Sequence, residues 1–289
     1  MVSLRGAALL LGAALCFPAG CALQETIGGS REGVTAWAAA RGFRAETVSA
    51  EGFDLYSLLR RRAAAAQLTV YIEGDGAPWP DSRRPPDDPT PRRPVALLLA
   101  ERDPSPQVAY LGRPCQYLGE AERAKCGAVY WSSRRYVQRV VDAMDAAVTR
   151  LKASAGADRL RLVGHSGGGV IAALLALRRN DVDSLVTVAA PLSLTAWTDR
   201  HGLSPLEKAL DPMRLAETGR LPPAVHFAGE ADEVVPPDHS TRMYEALDKA
   251  GVPVELHMYA GQPHGFDESP RLGRQVADIM ASFVERYVD

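Results

Sequence analysis

Hydrophobic and polar positions along the chain follow two repeats, one typical of strands and one of helices. Short apolar runs, several of them alternating with polar positions, predict eight strands at residues 44–48, 53–59, 68–72, 108–111, 160–163, 185–189, 224–228 and 254–259. Longer segments with helical periodicity predict helices near residues 95–102, 133–153, 170–179, 240–250 and 272–287. Because strands and helices alternate, the pattern predicts the α/β class, with a mostly parallel eight-stranded sheet and helices on both faces.

One segment interrupts this alternation. Residues 192–222 are polar and contain several prolines, and they predict a small insertion with a short helix at 205–209. We find no internal repeat and no second domain in the pattern.

The sequence GHSGG at residues 164–168 stands between a predicted strand and a predicted helix. Bulky side chains at Gly164 and Gly168 would collide with the neighbouring strand and helix in such a turn. The five-residue pattern is common by chance, and a merely structural glycine-rich turn is the alternative. Its position after a strand and before a helix favours a nucleophilic Ser166.

A nucleophilic serine needs a base, and the base needs an acid to orient it. Asp232 lies in the sequence GEADEVVP after the strand predicted at 224–228, and His264 lies in GQPHGF after the strand predicted at 254–259. The carboxyl ends of parallel strands meet at one edge of a sheet, so these two residues are the predicted acid and base. Glu230 remains the main alternative acid. The other histidines have expected roles outside the triad. His165 should shape the turn around Ser166, which we call the elbow, and His226 and His257 should pack in the sheet. His201 should lie in the insertion and His239 at the start of a helix.

Together, GHSGG, GEADEVVP and PHGF resemble the motifs of the α/β-hydrolase family of serine hydrolases. The resemblance implies that family's fold, with the insertion at 192–222 as a small cap. It also implies an oxyanion hole with one backbone N–H from Gly167 and one from the loop after the third strand. Many family members carry His-Gly there, whereas this chain carries Glu73-Gly74. The second donor is therefore expected to be Asp75, with Gly74 as the alternative. The carboxylates of Glu73 and Asp75 are expected to point away and cap the following helix, and discrimination against anionic substrates is the alternative role.

Composition and charge narrow the function further. The chain has 289 residues, of which 46% are hydrophobic, and its net charge is −2. This composition fits one large domain and gives no indication of nucleic-acid binding. The sequence has no P-loop, no paired C-x-x-C and no H-E-x-x-H motif, so no metal or cofactor is implied. The expected partner is a small-molecule or lipid-like acyl substrate, and the oligomeric state stays open.

The N-terminal residues predict export. Residues 1–21 combine Arg5, a short apolar stretch and the sequence AGC ending at Cys21, which resembles a bacterial lipoprotein signal except at Pro18. We therefore expect lipidation of Cys21, a tether and lead-in over 22–43 and a hydrolase domain over 44–289. The predicted location is the periplasmic side of a bacterial membrane, held there by the lipid. A soluble periplasmic or secreted protein is the alternative.

Two further cysteines, Cys115 and Cys126, have no neighbouring metal-ligand pattern, and an exported protein favours a disulfide between them. Because neither cysteine lies in the motifs that contain Ser166, Asp232 and His264, the bond is expected to affect stability more than catalysis. Two buried free thiols are the alternative.

The expected reaction is hydrolysis of a carboxylic ester through an acyl-enzyme on Ser166. Cleavage of an amide or a thioester would use the same groups. A binding protein of the same fold without turnover is the alternative from another class.

Overall fold

The structure is a computed structural model that describes residue 27 and residues 29–80, 84–216 and 221–288. Its centre is one sheet of eight strands in the order β1-β2-β4-β3-β5-β6-β7-β8. The strands are β1 (Arg44–Ala50), β2 (Phe53–Arg61), β3 (Gln67–Ile72), β4 (Gln107–Leu111), β5 (Arg159–His165), β6 (Val182–Val188), β7 (Ala224–Gly229) and β8 (Val254–Tyr259). Strand β2 pairs antiparallel with β1 and β4, and all other pairs are parallel. The predicted α/β class and eight-stranded, mostly parallel sheet are confirmed.

Helices cover both faces of the sheet. In chain order the described ranges contain α1 (Arg31–Ala39), α2 (Val95–Arg102), α3 (Glu120–Cys126), α4 (Gln138–Ala155), α5 (Gly167–Arg178), α6 (Leu194–Arg200), α7 (Pro212–Ala216), α8 (Asp238–Lys249) and α9 (Pro270–Tyr287). Apolar residues of α4, α5 and α8 share one core with Leu68 and Val70 of β3, and those of α1, α2 and α9 share a second core with Tyr71. Alternate residues of the strand thus face opposite layers.

Within the segment expected as a tether and lead-in, residues 31–39 form helix α1. The Ser30 hydroxyl accepts a hydrogen bond from the Gly33 N–H (3.1 Å) and so caps the helix start. Val34 and Ala38 are buried against the sheet, and Thr35 contacts the Tyr56 hydroxyl at 2.7 Å. With only two buried apolar positions, the helix has too weak a periodicity to be recognised in the sequence.

The expected helix at residues 205–209 of the insertion is wrong. The insertion instead contains α6 and α7 on either side of this segment. The backbone N–H groups of Glu207 and Leu210 donate to the carbonyls of Ser133 and Tyr136. These bonds to a distant part of the chain replace the local ones that a helix would require.

None of the helices in the ranges given above is both long and apolar enough to cross a lipid bilayer. Residues 1–26 lie outside the described part of the chain, and with them the predicted signal segment and Cys21.

Candidate active site

Ser166 occupies a sharp turn between β5 and α5. Its backbone has φ 50° and ψ −125°, a conformation that costs energy for any residue with a side chain, and its N–H donates to the carbonyl of Val188 (2.8 Å). The turn packs tightly on both sides: a methyl group on Gly164 would lie 2.3 Å from the carbonyl oxygen of Gly168, and one on Gly168 would lie 2.1 Å from that of Ile72. The glycines of the motif therefore allow the strained turn that presents the serine.

The structure brings the three predicted residues Ser166, His264 and Asp232 into one hydrogen-bonded chain. The His264 Nε2 lies 3.1 Å from the Ser166 Oγ, and the His264 Nδ1 lies 2.8 Å from the Asp232 Oδ2. The other carboxylate oxygen, Asp232 Oδ1, accepts the backbone N–H groups of Val234 (2.9 Å) and Val235 (2.7 Å). The Asp232 carboxylate is fully buried, whereas the His264 ring remains partly accessible.

Three separate loops supply these residues, each at the carboxyl end of a parallel strand. Ser166 follows β5, Asp232 follows β7, and His264 follows β8. Glu230, the alternative acid, accepts the backbone N–H of Gly261 (3.0 Å). The geometry thus favours Asp232 over Glu230 as the partner of the imidazole.

Four other histidines lie in elements that do not contribute to the Ser166–His264–Asp232 chain. His226 is fully buried in β7, with its Nδ1 2.7 Å from the Thr187 hydroxyl, and burial lowers its pKa to about 4. His257 lies in β8, stacks on Phe227 and contacts Glu255. His201 and His239 lie in the insertion and in the first turn of α8.

The loop after β3 passes beside the elbow. The Gly74 N–H donates to the Glu73 carboxylate (2.9 Å) and is therefore already paired. Within the described residues, the N–H groups of Asp75 and Gly167 donate to no protein group, and an Asp75 carboxylate oxygen lies 2.2 Å from where a methyl group on Gly167 would stand. The geometry therefore favours the N–H of Asp75 over that of Gly74 as the second donor of the expected oxyanion hole, beside the N–H of Gly167.

The sequence pattern of the dienelactone hydrolase family matches residues 114–282, which is more than half of the chain. The chain belongs to the dienelactone hydrolase family. No curated protein sequence matches it significantly.

Solved structures show the fold of this dienelactone hydrolase family member. A puromycin-hydrolysing peptidase from Mycobacterium tuberculosis superimposes with a TM-score of 0.61 and 18% identity over 85% of this chain, which spans only 39% of the peptidase. An esterase from Pyrococcus furiosus superimposes with a TM-score of 0.60 and 12% identity, and the match covers 86% of this chain and 93% of the esterase. A hormone-sensitive lipase from a metagenome library superimposes with a TM-score of 0.58 and 18% identity, and the match covers 85% of this chain and 86% of the lipase. Family and fold together identify an α/β-hydrolase.

The two carboxylates of the β3 loop in this hydrolase have different surroundings. The Glu73 carboxylate is buried and accepts the Tyr110 hydroxyl (3.1 Å), and the backbone N–H groups of Ala96 and Leu97 at the start of α2 act to lower its pKa. Burial raises its pKa to about 7. Glu73 thus lies near the start of α2, where a helix cap is expected.

The expectation that Asp75 caps the following helix is wrong. Its carboxylate binds Arg113 (3.2 Å), Arg135 (3.2 Å) and the Tyr136 hydroxyl (2.8 Å). The side chains of Arg113 and Arg135 are almost completely buried. The two cations and the hydroxyl hold Asp75 away from α2. None of these three partners is recognisable as such in the sequence; the proximity of Arg113 to the predicted disulfide is the one available signal.

A second acid–imidazole pair, His165 and Asp267, lies behind His264. The two side chains are buried, with His165 Nε2 3.8 Å from Asp267 Oδ1, and the His165 ring centre is 5.6 Å from that of His264. In the described residues, neither ring nitrogen of His165 and neither carboxylate oxygen of Asp267 has a hydrogen-bond partner. Burial lowers the pKa of His165 to about 3 and raises that of Asp267 to about 7. Both groups therefore favour their neutral forms.

The predicted disulfide between Cys115 and Cys126 is present, with Cα atoms 5.7 Å apart. It joins the loop after β4 to the end of α3. No group of three or more histidine, cysteine, aspartate or glutamate side chains in the described ranges is arranged to hold a metal ion.

Proposed function

We propose that this protein hydrolyses a carboxylic ester through a catalytic triad of Ser166, His264 and Asp232. The observation that carries the proposal is the unbroken contact from Ser166 Oγ through the imidazole to the buried Asp232 carboxylate. Such a chain lets the imidazole accept the serine proton while the carboxylate fixes its tautomer and offsets its positive charge.

In the acylation step, Ser166 Oγ attacks the carbonyl carbon as its proton passes to His264 Nε2. The electron pair of the C=O π bond moves to the carbonyl oxygen, which accepts hydrogen bonds from the N–H groups of Asp75 and Gly167. When this intermediate collapses, the ester C–O bond breaks, the alcohol takes the proton from His264, and the acyl group stays on Ser166.

In the deacylation step, water attacks the acyl carbon and gives a proton to His264. The second tetrahedral intermediate collapses with cleavage of the acyl–Oγ bond, and the proton returns to Ser166 as the carboxylic acid leaves. Every proton transfer in this cycle takes place between Ser166, His264, water and the substrate's own oxygen atoms, so the proposed cycle needs no cofactor.

Apolar side chains on the same loops support an acyl substrate of small-molecule or lipid-like character. Trp79, on the loop after β3, is 40% exposed, and Val234, two residues after Asp232, is 49% exposed. Exposed large apolar residues on loops that also carry catalytic groups are typical of sites that bind apolar ligands.

Amide hydrolysis is the second candidate, because the fold is also that of the puromycin-hydrolysing peptidase. Thioester cleavage would use the same residues. An ester and a matched anilide of the same acyl group, assayed side by side, separate an esterase from a peptidase.

We further propose that the protein is exported and anchored at the periplasmic side of a bacterial membrane by a lipid on Cys21. The proposal rests on the sequence of residues 1–21.

The triad is tested with p-nitrophenyl esters of graded chain length and a fluorophosphonate probe. We expect the probe to label Ser166, and Ser166→Ala and His264→Ala each to remove nearly all turnover. The double variant should be little worse than either single one, since triad members act as a unit. His257→Ala, a histidine within β8, is the matched control and should keep wild-type kcat. Labelling at another residue, or full activity in Ser166→Ala, would contradict the proposal.

The acid is tested by comparing Asp232→Asn with Glu230→Gln. Asp232→Asn should lower kcat by about 10⁴-fold, by analogy with the tautomer effect in serine proteases. Glu230→Gln removes a charge but leaves an amide oxygen to accept the Gly261 N–H, so its kcat should stay near wild type. The reverse ranking would assign the role of the acid to Glu230.

A further inference from the structure

The loop after β4 contains a buried segment, residues 113–117, that we call the support segment. Arg113, Cys115, Gln116 and Tyr117 are each no more than 4% exposed. Although the segment follows β4, its polar side chains bind the loop after β3 and the elbow after β5. It therefore touches both parts of the proposed oxyanion hole.

Arg113 joins these two parts directly. Its Nη1 donates to the Asp75 carboxylate (3.2 Å) and to the backbone carbonyl of Gly167 (3.1 Å), and its Nη2 donates to the carbonyl of Arg135 (2.7 Å). A single guanidinium thus bonds the two residues whose N–H groups face the oxyanion in the proposed mechanism.

Gln116 holds the preceding residue of the same loop. Its Nε2 donates to the carbonyl of Gly74 (3.0 Å), and its Oε1 accepts the N–H of Arg113 (2.9 Å). The Gly74 carbonyl belongs to the peptide group that carries the Asp75 N–H. Gln116 therefore fixes the orientation of the peptide that carries the proposed donor.

The disulfide holds the backbone of the support segment in an unusual conformation. Cys115 and Tyr117 have φ values of 73° and 60°, in the left-handed region that residues other than glycine rarely adopt. Such a conformation persists only where the surroundings fix it. Here the bond from Cys115 to Cys126 does so, together with the Tyr117 N–H, which donates to the Thr90 hydroxyl (2.8 Å).

We propose that the support segment positions the oxyanion hole, with Arg113 and Gln116 as positioning residues and the Cys115–Cys126 disulfide fixing the backbone between them. The proposal rests on the proposed function of Ser166. Oxyanion donors act over a narrow range of distances, and a displacement of about 1 Å can cost about 10²-fold in rate. The disulfide is thereby expected to affect turnover as well as stability.

The first experiment measures kcat and KM of Arg113→Met, Arg113→Lys and Gln116→Leu on a p-nitrophenyl ester. Rates are expressed per active site, counted by fluorophosphonate labelling carried to completion. We expect kcat to fall about 10- to 100-fold in both Arg113 variants, with KM changed by less than about threefold. Lysine keeps the charge but cannot form the same fork of bonds, so its failure to restore kcat would separate positioning from charge.

Arg60→Met is the matched control. Arg60 is a buried arginine that donates to the backbone carbonyls of Ala100, Glu101 and Asp103, away from the elbow. Its loss should lower the melting temperature while leaving kcat per active site at the wild-type value. If Arg113→Met does not fold, Gln116→Leu and the disulfide experiment test the same proposal.

The second experiment opens the disulfide, by reduction of the folded protein and by the double variant Cys115→Ser/Cys126→Ser. We expect kcat per active site to fall about 3- to 10-fold in both, less than in Arg113→Met because the side-chain bonds remain. Wild-type kcat in the opened forms would overturn the role of the disulfide, and wild-type kcat in Arg113→Met and Gln116→Leu would overturn the positioning role. If the unaltered protein neither turns over esters nor labels at Ser166, the proposed function fails instead.

Discussion

At the residue scale, Asp267 and His165 are ionisable groups that the fold holds in a setting without hydrogen-bond partners in the described residues. Removal from water without a compensating bond disfavours the charged form of each. Burial therefore shifts the two pKa values in opposite directions, to about 7 for Asp267 and about 3 for His165. Their effects on stability consequently oppose each other below neutral pH.

Asp267 should make the protein less stable as the pH rises. Its pKa is higher in the folded state than in the unfolded state, so the folded protein keeps a proton that the unfolded chain releases between about pH 4 and 7. The protonated Asp267 side chain therefore contributes its full stabilisation of the folded state below about pH 4, and this contribution is lost as the pH rises to about 7. Relative to the wild type, Asp267→Asn should gain about 1 to 3 kcal/mol between pH 5 and pH 8, measured by urea unfolding.

The control for this prediction is Asp278→Asn, which removes an exposed carboxylate from α9. It should show the same pH dependence as the wild type. Equal stability changes with pH in the wild type and in Asp267→Asn would contradict the assignment of a buried, protonated Asp267.

At the element scale, the turn from β5 to α5 combines strain with close packing. Strand β5 pairs with β3 and β6, so the chain cannot shift to accommodate a larger residue at the turn. The helix after the turn begins with three consecutive glycines, and its apolar residues from Val170 to Ala176 are all buried. Backbone atoms of the turn and of β3 come close enough that a side chain at Gly168 has no space.

We therefore expect Gly168→Ala to destabilise the fold by more than about 2 kcal/mol, because the added methyl group would overlap the carbonyl of Ile72. Gly119→Ala is the control: Gly119 has φ −62°, and the nearest atom to an added methyl group is a Glu122 carboxylate oxygen at 3.5 Å. Urea unfolding of both variants measures the difference. Equal stability of the two would show that the turn can relax.

At the scale of the whole molecule, the sheet brings distant parts of the chain to one edge. The parallel order β3-β5-β6-β7-β8 aligns the carboxyl ends of the strands that precede Asp75, Ser166, Asp232 and His264. Ser166 and His264 are 98 positions apart in the sequence yet lie 3.1 Å apart. The proposed site depends on the topology of the whole sheet.

Export also concerns the molecule as a whole. Metabolic labelling with a fatty acid should mark the wild type, and the mark should disappear in Cys21→Ser because the acceptor thiol is lost. Cys16→Ser changes a cysteine inside the apolar stretch and should keep the mark. An unlabelled, soluble wild type would leave ordinary secretion as the explanation of residues 1–21.

The sequence by itself determined the sheet, most of the helices and the three residues that meet at the elbow. Each depends on a local signal: alternation of apolar positions, helical periodicity, or a motif directly after a strand. The topology of parallel strands then places such motifs together without further information. Where the local signal was weak, as with two buried residues in α1, the helix was not predicted, and where distant bonds replaced local ones, as at Glu207, the prediction was wrong.

Only the tertiary structure decided how the β3 loop is held. Asp75 has nothing in its own sequence neighbourhood to indicate Arg113, Arg135 or Tyr136, which are 38 to 61 positions away. Likewise, nothing near Asp267 in the sequence indicates that its side chain lies next to His165. Such contacts have no period and no motif, because they join loops whose positions are set by the sheet rather than by their own residues.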